Sequence, residues 1–272
     1  MSTEYIFLLC MNNAGTTVMS QYLASQIDAY LPPFGNNEGQ TAPAVREMMR
    51  RRPWSEGTKF DWAFIKAEWD KLRIESGKTT FIEASPPNIM RLGQIRSHFD
   101  AHSTYVFSIS NPYVQIASCA YNYLEPPLTR RSLRKTAEKW LEKAEKMITN
   151  MSENPDIPLV KYEDFCTDPT AFNRALNLPV QDDVEISGKR NTRITEIKDQ
   201  TYKNVAFFDE SEINLISSAL AERADVVEHF GYEIRDGADL LNAAARDYPQ
   251  VHSGLVRRAR WEGNVKARQG LN

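Results

Sequence analysis

Cysteine and histidine are scarce in this sequence, and their scarcity excludes whole classes of protein. Among the 272 residues there are three cysteines, Cys10, Cys119 and Cys166, and four histidines. An odd number of widely spaced cysteines predicts neither a disulfide framework nor a zinc site, and it favours a reducing compartment. We therefore expect a cytoplasmic protein that needs no metal.

An excess of one charge and a long apolar run are lacking as well. The formal net charge is −3 and the sequence pI is about 5.9, so no global basic field indicates a nucleic-acid partner. No stretch approaches the apolar length that crosses a bilayer. The N-terminal apolar run is too short, and lacks the basic start, for a signal peptide. We expect no nucleic-acid partner and no membrane span.

What the sequence does have is 42% hydrophobic and 25% charged residues, which is enough for a sizeable core. Short apolar runs alternate with helical patterns along most of the chain. The strands we predict are Tyr5–Cys10, Thr79–Ala84, Thr104–Ile109 and Ile157–Tyr162, and a late helix is predicted over 211–230. Alternation of strands and helices without hairpin signals predicts an α/β fold, with a central parallel β-sheet flanked by helices on both faces.

We expect this α/β domain to cover residues 1–236. A helical and basic tail follows over residues 237–272, with most of its arginines near the end. Three roles are open for the tail: it docks on the body, it forms a homo-oligomer, or it stays mobile.

The first strand leads into a tight polar loop and then a helix, in which apolar residues recur at helical spacing from Val18. The loop residues are Asn12, Asn13, Ala14, Gly15, Thr16 and Thr17. Such a loop directs backbone N–H groups and a helix N terminus at one spot, which makes it a candidate anion site. It is not the loop of nucleotide triphosphatases, because no G-x-x-x-x-G-K-[ST] pattern is present. An ordinary strand-to-helix turn would have the same residues.

Polar residues also follow the later predicted strands. Ser85, Ser110 and Glu163 lie at their carboxyl ends, where parallel sheets bind ligands. Glu38 lies in the Pro- and Gly-rich loop Leu31–Thr41, where a lone carboxylate is most often solvated. The run Arg50–Arg52 is either a solvated helix end or a patch for an acidic substrate.

Four segments, in this order, resemble the sulfotransferase family that uses 3′-phosphoadenosine 5′-phosphosulfate (PAPS). The first, LLCMNNAGTTVMSQYL, looks like the family's 5′-phosphosulfate loop, roughly P-[KR]-S-G-T-T. The second, FIEASPPNIMRLGQIRSHFDAHSTYVF, resembles its E-K-[ST]-P segment. The third, SISNPYVQIASCAYNY, resembles the 3′-phosphate motif V-R-[DN]-P-x-[DE]-x-x-x-S-x-x-x. The fourth, LVKYEDFCTDP with the later EHFGYE, resembles R-Y-E-D-L…D-P and a terminal F-G-Y-E. The match covers about residues 4–235 and leaves the tail outside.

The resemblance implies transfer of a sulfuryl group from PAPS to a hydroxyl or amine of a small-molecule, carbohydrate or lipid acceptor. It implies that the loop residues Asn12, Asn13, Ala14, Gly15, Thr16 and Thr17 bind the 5′-phosphosulfate. Ser118 falls at the family serine that binds the 3′-phosphate, near Ser110. In several members a Glu in the loop after the first helix is the general base, and Glu38 lies at about that place.

The chain departs from the family at three basic positions. Asn13, Ala84 and Ser110 stand where the family has cations that hold the two ends of the donor. Charge-assisted bonds contribute roughly 1.5–3 kcal/mol each, so losing three would weaken donor binding or catalysis by orders of magnitude. One explanation is replacement by basic groups from elsewhere. The candidates are Lys189, Arg190 and Arg193 of a late basic loop, or Arg91 and Arg96.

The other explanation is that the donor has changed or been lost. The protein would then be a non-catalytic binding module with the same fold. A nucleotide kinase is disfavoured, because the loop lacks a lysine and no magnesium ligand set is evident.

Overall fold

The computed structural model describes residues 3–181, 186–187, 193–194, 197, 204–247 and 258–263. The chain divides into two compact units. The first comprises Met1–Ile109 with Lys146–Lys198, and the second comprises Ser110–Glu145 with Asp199–Asn272.

The first unit is built on a parallel sheet of four strands. They are β1 (Tyr5–Cys10), β2 (Ala29–Tyr30), β3 (Thr80–Glu83) and β4 (Ser103–Ser108), in the spatial order β2-β3-β1-β4. Tyr5 pairs with Phe81 on one side and with Ser103 on the other. Every residue of β1 and β3 is buried. The predicted α/β class with a central parallel sheet is confirmed.

The two faces of the sheet differ in composition. One face carries aromatic side chains in mutual contact, which include Tyr5, Phe7, Trp69, Phe81 and Phe99. The other face is mostly aliphatic, with Ile6, Leu8, Met19, Leu23, Ile82 and Val106 at its centre. Successive strand residues point to opposite faces, so each uninterrupted apolar run supplies both layers of the core.

Helices connect the strands and build the second unit. They are α1 (Thr16–Gln26), α2 (Arg46–Arg50), α3 (Trp62–Glu75), α4 (Leu92–Phe99), α5 (Pro112–Tyr123), α6 (Arg130–Glu153), α7 (Tyr162–Thr167), α8 (Ala171–Leu176), α9 (Glu210–Ala221), α10 (Ala224–His229), α11 (Gly237–Asp247) and α12 (258–263). Short 3₁₀ helices cover Gly39–Thr41, Pro86–Met90 and Asp100–His102. β5 (Ile186–Ser187) and β6 (Arg193–Ile194) form a small antiparallel pair.

The predicted strand Ile157–Tyr162 is shorter than expected, although its backbone bonds to the edge of β4 in parallel: Val160 N–H donates to Phe107 and Tyr162 N–H to Ile109, both at 2.9 Å. Only an isolated parallel bridge joins Leu159 to Phe107, and α7 already begins at Tyr162. Pro158 has no N–H to donate, so only its carbonyl bonds to Phe107, at 2.9 Å. The segment still runs along the edge of β4.

The predicted helix over 211–230 is two helices. Arg223, with φ −138° and ψ 58°, leaves the helical region and separates α9 from α10. Gly231, whose φ is 69°, follows the end of α10 in the left-handed conformation. Gly231 N–H donates to Glu228 and Tyr232 N–H to Val227, which is the paired bonding of a Schellman end.

The described part of the tail docks within the second unit. Leu240, Ala243 and Ala244 of α11 are buried, and Gly237 N–H donates to Asn214 Oδ1 at 2.8 Å. Arg258 of α12 donates to both carboxylate oxygens of Glu212, at 2.9 and 3.0 Å.

Candidate functional site

The loop between β1 and α1 has the backbone geometry of an anion-binding turn. Asn13 and Gly15 have positive φ, 64° and 84°. α1 then begins at Thr16 with no side-chain cap on its first N–H groups. Residues in the left-handed region beside an uncapped helix start turn backbone N–H groups toward one point. The backbone of this loop can therefore present N–H groups to an anion, and binding of a 5′-phosphosulfate by it stays a prediction.

Gly15 is required here for a second reason. A Cβ atom built on Gly15 would overlap the ring of Tyr162, the first residue of α7. The ring therefore lies directly against the loop backbone, which only glycine permits. Sequence reasoning assigned Tyr162 no role, although the YED run of the fourth matching segment contains it.

The bottom of the loop is buried and polar. Cys10 ends β1 and is fully buried, and burial raises the pKa of its thiol to about 12. The Thr16 hydroxyl lowers that pKa by hydrogen bonding, whereas the carboxylates of Glu38 and Glu83 raise it further by repulsion. Glu83 ends β3 and pairs in register with Phe7 of β1.

Glu38 is half-buried at the start of the 3₁₀ helix Gly39–Thr41. Its Oε2 accepts from Gln40 Nε2 at 2.6 Å, and its carbonyl accepts from the Thr41 hydroxyl at 2.6 Å. Gln40 N–H donates to Ser85 Oγ at 3.2 Å. The loop after α1 is thus fixed to the carboxyl end of β3, which holds Glu38 beside the sheet edge.

Glu83 is a buried carboxylate at the end of β3 that we did not predict. It accepts from Gly39 N–H at 2.6 Å, from Ser85 N–H at 3.0 Å and from Asn88 Nδ2 at 2.9 Å. Burial raises its pKa to about 7, and these hydrogen bonds oppose the rise. A Cβ at Gly39 would overlap the Glu83 carboxylate. Glu83 therefore fixes the segment that carries Glu38.

The three positions where the resemblance lacks cations differ in burial. Ala84 and Ser110 are buried, at 0% and 1% exposure, whereas Asn13 is half-buried. The Ser110 hydroxyl has no hydrogen-bond partner among the described residues. Ser110 and Ser118 belong to the second unit, where Ser118 is a half-buried residue of α5.

Of the candidate replacement cations, the structure describes the side chains of Arg91 and Arg96. Lys189 and Arg190 lie outside the described residues, and for Arg193 the structure describes only the backbone, in β6. Their convergence on the donor stays a prediction. Arg96 forms ion pairs with Asp100 and Asp156, at 3.0 and 3.1 Å, so its guanidinium is already occupied.

Arg91 is buried beneath the segment that follows α2. Its Nη2 donates to the carbonyls of Met49 and Pro53, both at 2.9 Å, and its guanidinium stacks over Phe60 at 4.5 Å. Burial lowers its pKa to about 10, partly offset by the charge of Glu83, so Arg91 is cationic at neutral pH. Its Nε and Nη1 find no hydrogen-bond partner among the described residues.

The described residues hold neither a metal-binding cluster nor a helix that could cross a membrane. No group of three or more His, Cys, Asp or Glu side chains in them is arranged to hold a metal ion. No helix among them combines the length and the apolar character that crossing a membrane requires.

Comparison with known proteins gives a clear result at the level of the fold. No protein-family model and no curated protein sequence matches the chain. Among solved structures, the sulfotransferase domain from the curacin biosynthetic pathway aligns with 86% of this chain and 99% of its own, at 16% identity and a TM-score of 0.52. The chain has the sulfotransferase fold.

Two more structures agree with this assignment. The sulfotransferase domain from the Synechococcus PCC 7002 olefin synthase matches at 16% identity and a TM-score of 0.52, over 86% of this chain and 97% of that one. A sulfotransferase from Alicyclobacillus acidocaldarius matches at 15% identity and a TM-score of 0.51, over 85% and 96%. At identities this low, the structural matches establish the fold and nothing finer. The resemblance seen in the sequence is confirmed at the level of the fold.

Proposed function

We propose that this protein with the sulfotransferase fold transfers a sulfuryl group from PAPS to a hydroxyl or amine acceptor. The observation that carries the proposal is the Asn13–Thr17 loop, with its two left-handed residues, its uncapped helix start and the Tyr162 ring against Gly15. It lies at the carboxyl edge of a parallel sheet, where the sequence resemblance puts the phosphosulfate. The buried Ser110 hydroxyl lacks a partner among the described residues, so it can still bond a ligand oxygen.

In the proposed reaction, backbone N–H groups of the loop and the hydroxyls of Thr16 and Thr17 hold the 5′-phosphosulfate. Ser118 and Ser110 hold the 3′-phosphate. Sulfuryl transfer spreads negative charge over the group in flight, so the protein contributes mainly positioning and electrostatic stabilisation. The sulfur–oxygen bond to the donor phosphate breaks as the bond to the acceptor forms.

Glu38 is proposed as the base that takes the acceptor's proton. Its carboxylate is half-buried and accepts one hydrogen bond, from Gln40, which leaves acceptor capacity on the other oxygen. The 3₁₀ segment that holds it is tied to Glu83 and Ser85. The base is thereby kept in one position rather than on a free loop.

The first test is calorimetric titration with 3′-phosphoadenosine 5′-phosphate, the desulfated donor, and with adenosine 5′-monophosphate as the control ligand. We expect binding that requires the 3′-phosphate. Ser118→Ala should weaken binding of the bisphosphate about tenfold, because one hydrogen bond to a charged group is lost, and should leave the monophosphate unaffected.

The Glu38→Gln variant should bind the bisphosphate normally. Once an acceptor is found, its turnover should be about 10²–10⁴-fold slower than that of the wild type.

The alternative is a protein of the same fold whose donor site is lost or altered. The absence of the three cations at Asn13, Ala84 and Ser110 favours it. No binding of the bisphosphate up to millimolar concentration would support this alternative and would direct the search to other anions.

A further inference from the structure

A dense group of cations surrounds α2, in a chain whose net charge is negative. Its members, here called the α2 cations, are Arg46, Arg50, Arg51, Arg52 and Lys59, and all are exposed. None of their side chains forms an ion pair with another residue in the part of the chain that the structure describes. Like charges held this close repel each other, so the arrangement costs stability unless an anion is bound.

The α2 cations line two adjoining grooves. The larger, of about 840 Å³, is lined by Arg51, Arg52 and Lys59 together with the apolar Met48 and Phe60. The smaller, of about 550 Å³, is lined by Arg46, Arg50 and Arg51. Glu47 borders both and is the only carboxylate among the lining residues that are described.

A buried cation supports the larger groove. Arg91 stacks on Phe60 and donates to the carbonyls of Met49 and Pro53, which fixes both ends of the segment after α2. Arg91 is 1% exposed and two of its nitrogens have no partner among the described residues. Its charge is only partly offset by Glu83 and adds to the positive potential in the groove.

We propose that the larger groove binds a phosphate-bearing small molecule whose adjoining part is apolar. Guanidinium groups bind phosphate oxygens in pairs, and Met48 and Phe60 offer apolar surface beside them. A volume of about 840 Å³ falls within the range of small-molecule pockets, which favours a compact ligand over a long acidic polypeptide. This site shares no residue with the proposed donor loop and does not depend on sulfuryl transfer.

The test is titration with n-hexyl phosphate, with n-hexanol as the uncharged control. We expect n-hexyl phosphate to bind more tightly than n-hexanol and to weaken as salt increases. Arg51→Ala/Arg52→Ala should weaken its binding by about tenfold or more, because two charge-assisted contacts are lost. Lys135→Ala/Lys139→Ala removes the same charge from exposed positions on α6 and should change binding by less than about twofold.

A gain of binding supplies an independent arm. Glu47→Gln removes a carboxylate that borders the groove and should tighten n-hexyl phosphate about two- to fivefold, which misfolding cannot mimic. Equal losses in the two double variants would overturn the proposal, as would a wild-type protein that does not distinguish the phosphate from the alcohol. Preference for a glutamate-rich peptide at Arg51 and Arg52 would reassign the groove to an acidic polypeptide. Displacement by 3′-phosphoadenosine 5′-phosphate would reassign it to the donor.

Discussion

Glu83 is a carboxylate enclosed by protein and held only by hydrogen-bond donors. Its three donors come from Gly39, Ser85 and Asn88. Burial nevertheless dominates and raises its pKa to about 7. Since the folded-state pKa exceeds the value of an exposed glutamate, folding favours the protonated form. The stability that this contributes is complete at pH values below the unfolded pKa and is lost as pH rises through about 7.

We predict that Glu83→Gln removes this pH dependence. The wild type should lose roughly 3 kcal/mol more than the variant in its free energy of unfolding between about pH 4.5 and pH 8. At low pH the variant should be less stable by about 1–3 kcal/mol, because its amide NH₂ faces the Gly39 N–H. The measurement is urea unfolding at several pH values.

The control for this prediction is Glu75→Gln, which changes an exposed glutamate at the end of α3. Its unfolding curves should follow those of the wild type at every pH. A constant difference between wild type and Glu83→Gln across the pH range would show that Glu83 does not titrate in this window.

At the scale of elements, α12 is attached to the second unit through one charged residue. Arg258 forms a two-pronged pair with Glu212 and stacks on Phe207 and Trp261, at 5.3 and 5.4 Å. Glu212 also completes the capping box of α9 with Asp209. The first turn of α9 and the described end of the tail therefore depend on the same carboxylate.

We predict that Arg258→Ala lowers the free energy of unfolding by about 2–4 kcal/mol, because the Glu212 carboxylate, only 10% exposed, loses its counter-ion. Arg260→Ala, at an exposed position of the same helix, should change it by less than about 0.5 kcal/mol. In a double-mutant cycle, Glu212→Gln combined with Arg258→Ala should cost less than the sum of the single changes. Equal effects of Arg258→Ala and Arg260→Ala would contradict the docking of α12.

The sequence predicts elements well where the pattern is long and apolar. Tyr5–Cys10 was predicted with its observed bounds, because a buried parallel strand is apolar at every position. The pattern fails at short or mixed elements. β2 has only two residues, Ala29–Tyr30, too few for any period to show. The segment predicted as a strand at 157–162 does bond to Phe107 and Ile109, but it is reduced to a single bridge at Leu159 because α7 already begins at Tyr162.

The candidate site was predictable to the extent that motifs mark it. The polar loop and its Gly15 were visible because a turn needs those residue types in sequence. The burial of Glu83 was not, since a glutamate that ends a strand is more often solvated, and the donors that surround it come partly from the distant residue Gly39. Contacts between segments far apart in sequence set its environment, and no local pattern records them.

At the scale of the whole molecule, the main question is which cations would balance the negative charge of the donor in its proposed site. The chain carries a net charge of −3, and one group of its described cations surrounds α2, away from the proposed donor loop in sequence. Ala84 and Ser110 are buried, so a lysine or arginine at either position would place a charge in the interior. Asn13 is half-buried, and it is the one of the three positions where a cation can return without a large desolvation cost.

We therefore predict that Asn13→Lys strengthens binding of 3′-phosphoadenosine 5′-phosphate by about tenfold. A new charge-assisted bond contributes roughly 1.5–3 kcal/mol. Lysine at φ 64° in place of asparagine costs about 1 kcal/mol of folding stability in the free and the bound protein alike, so this cost does not reduce the gain in binding. Binding of the bisphosphate to the variant should weaken as salt increases, whereas wild-type binding through backbone amides should depend less on salt.

Asn12→Lys, one residue earlier in the same loop, is the matched control. If both variants bind the bisphosphate alike, the gain comes from net charge alone, and Asn13 does not face the 5′-phosphate.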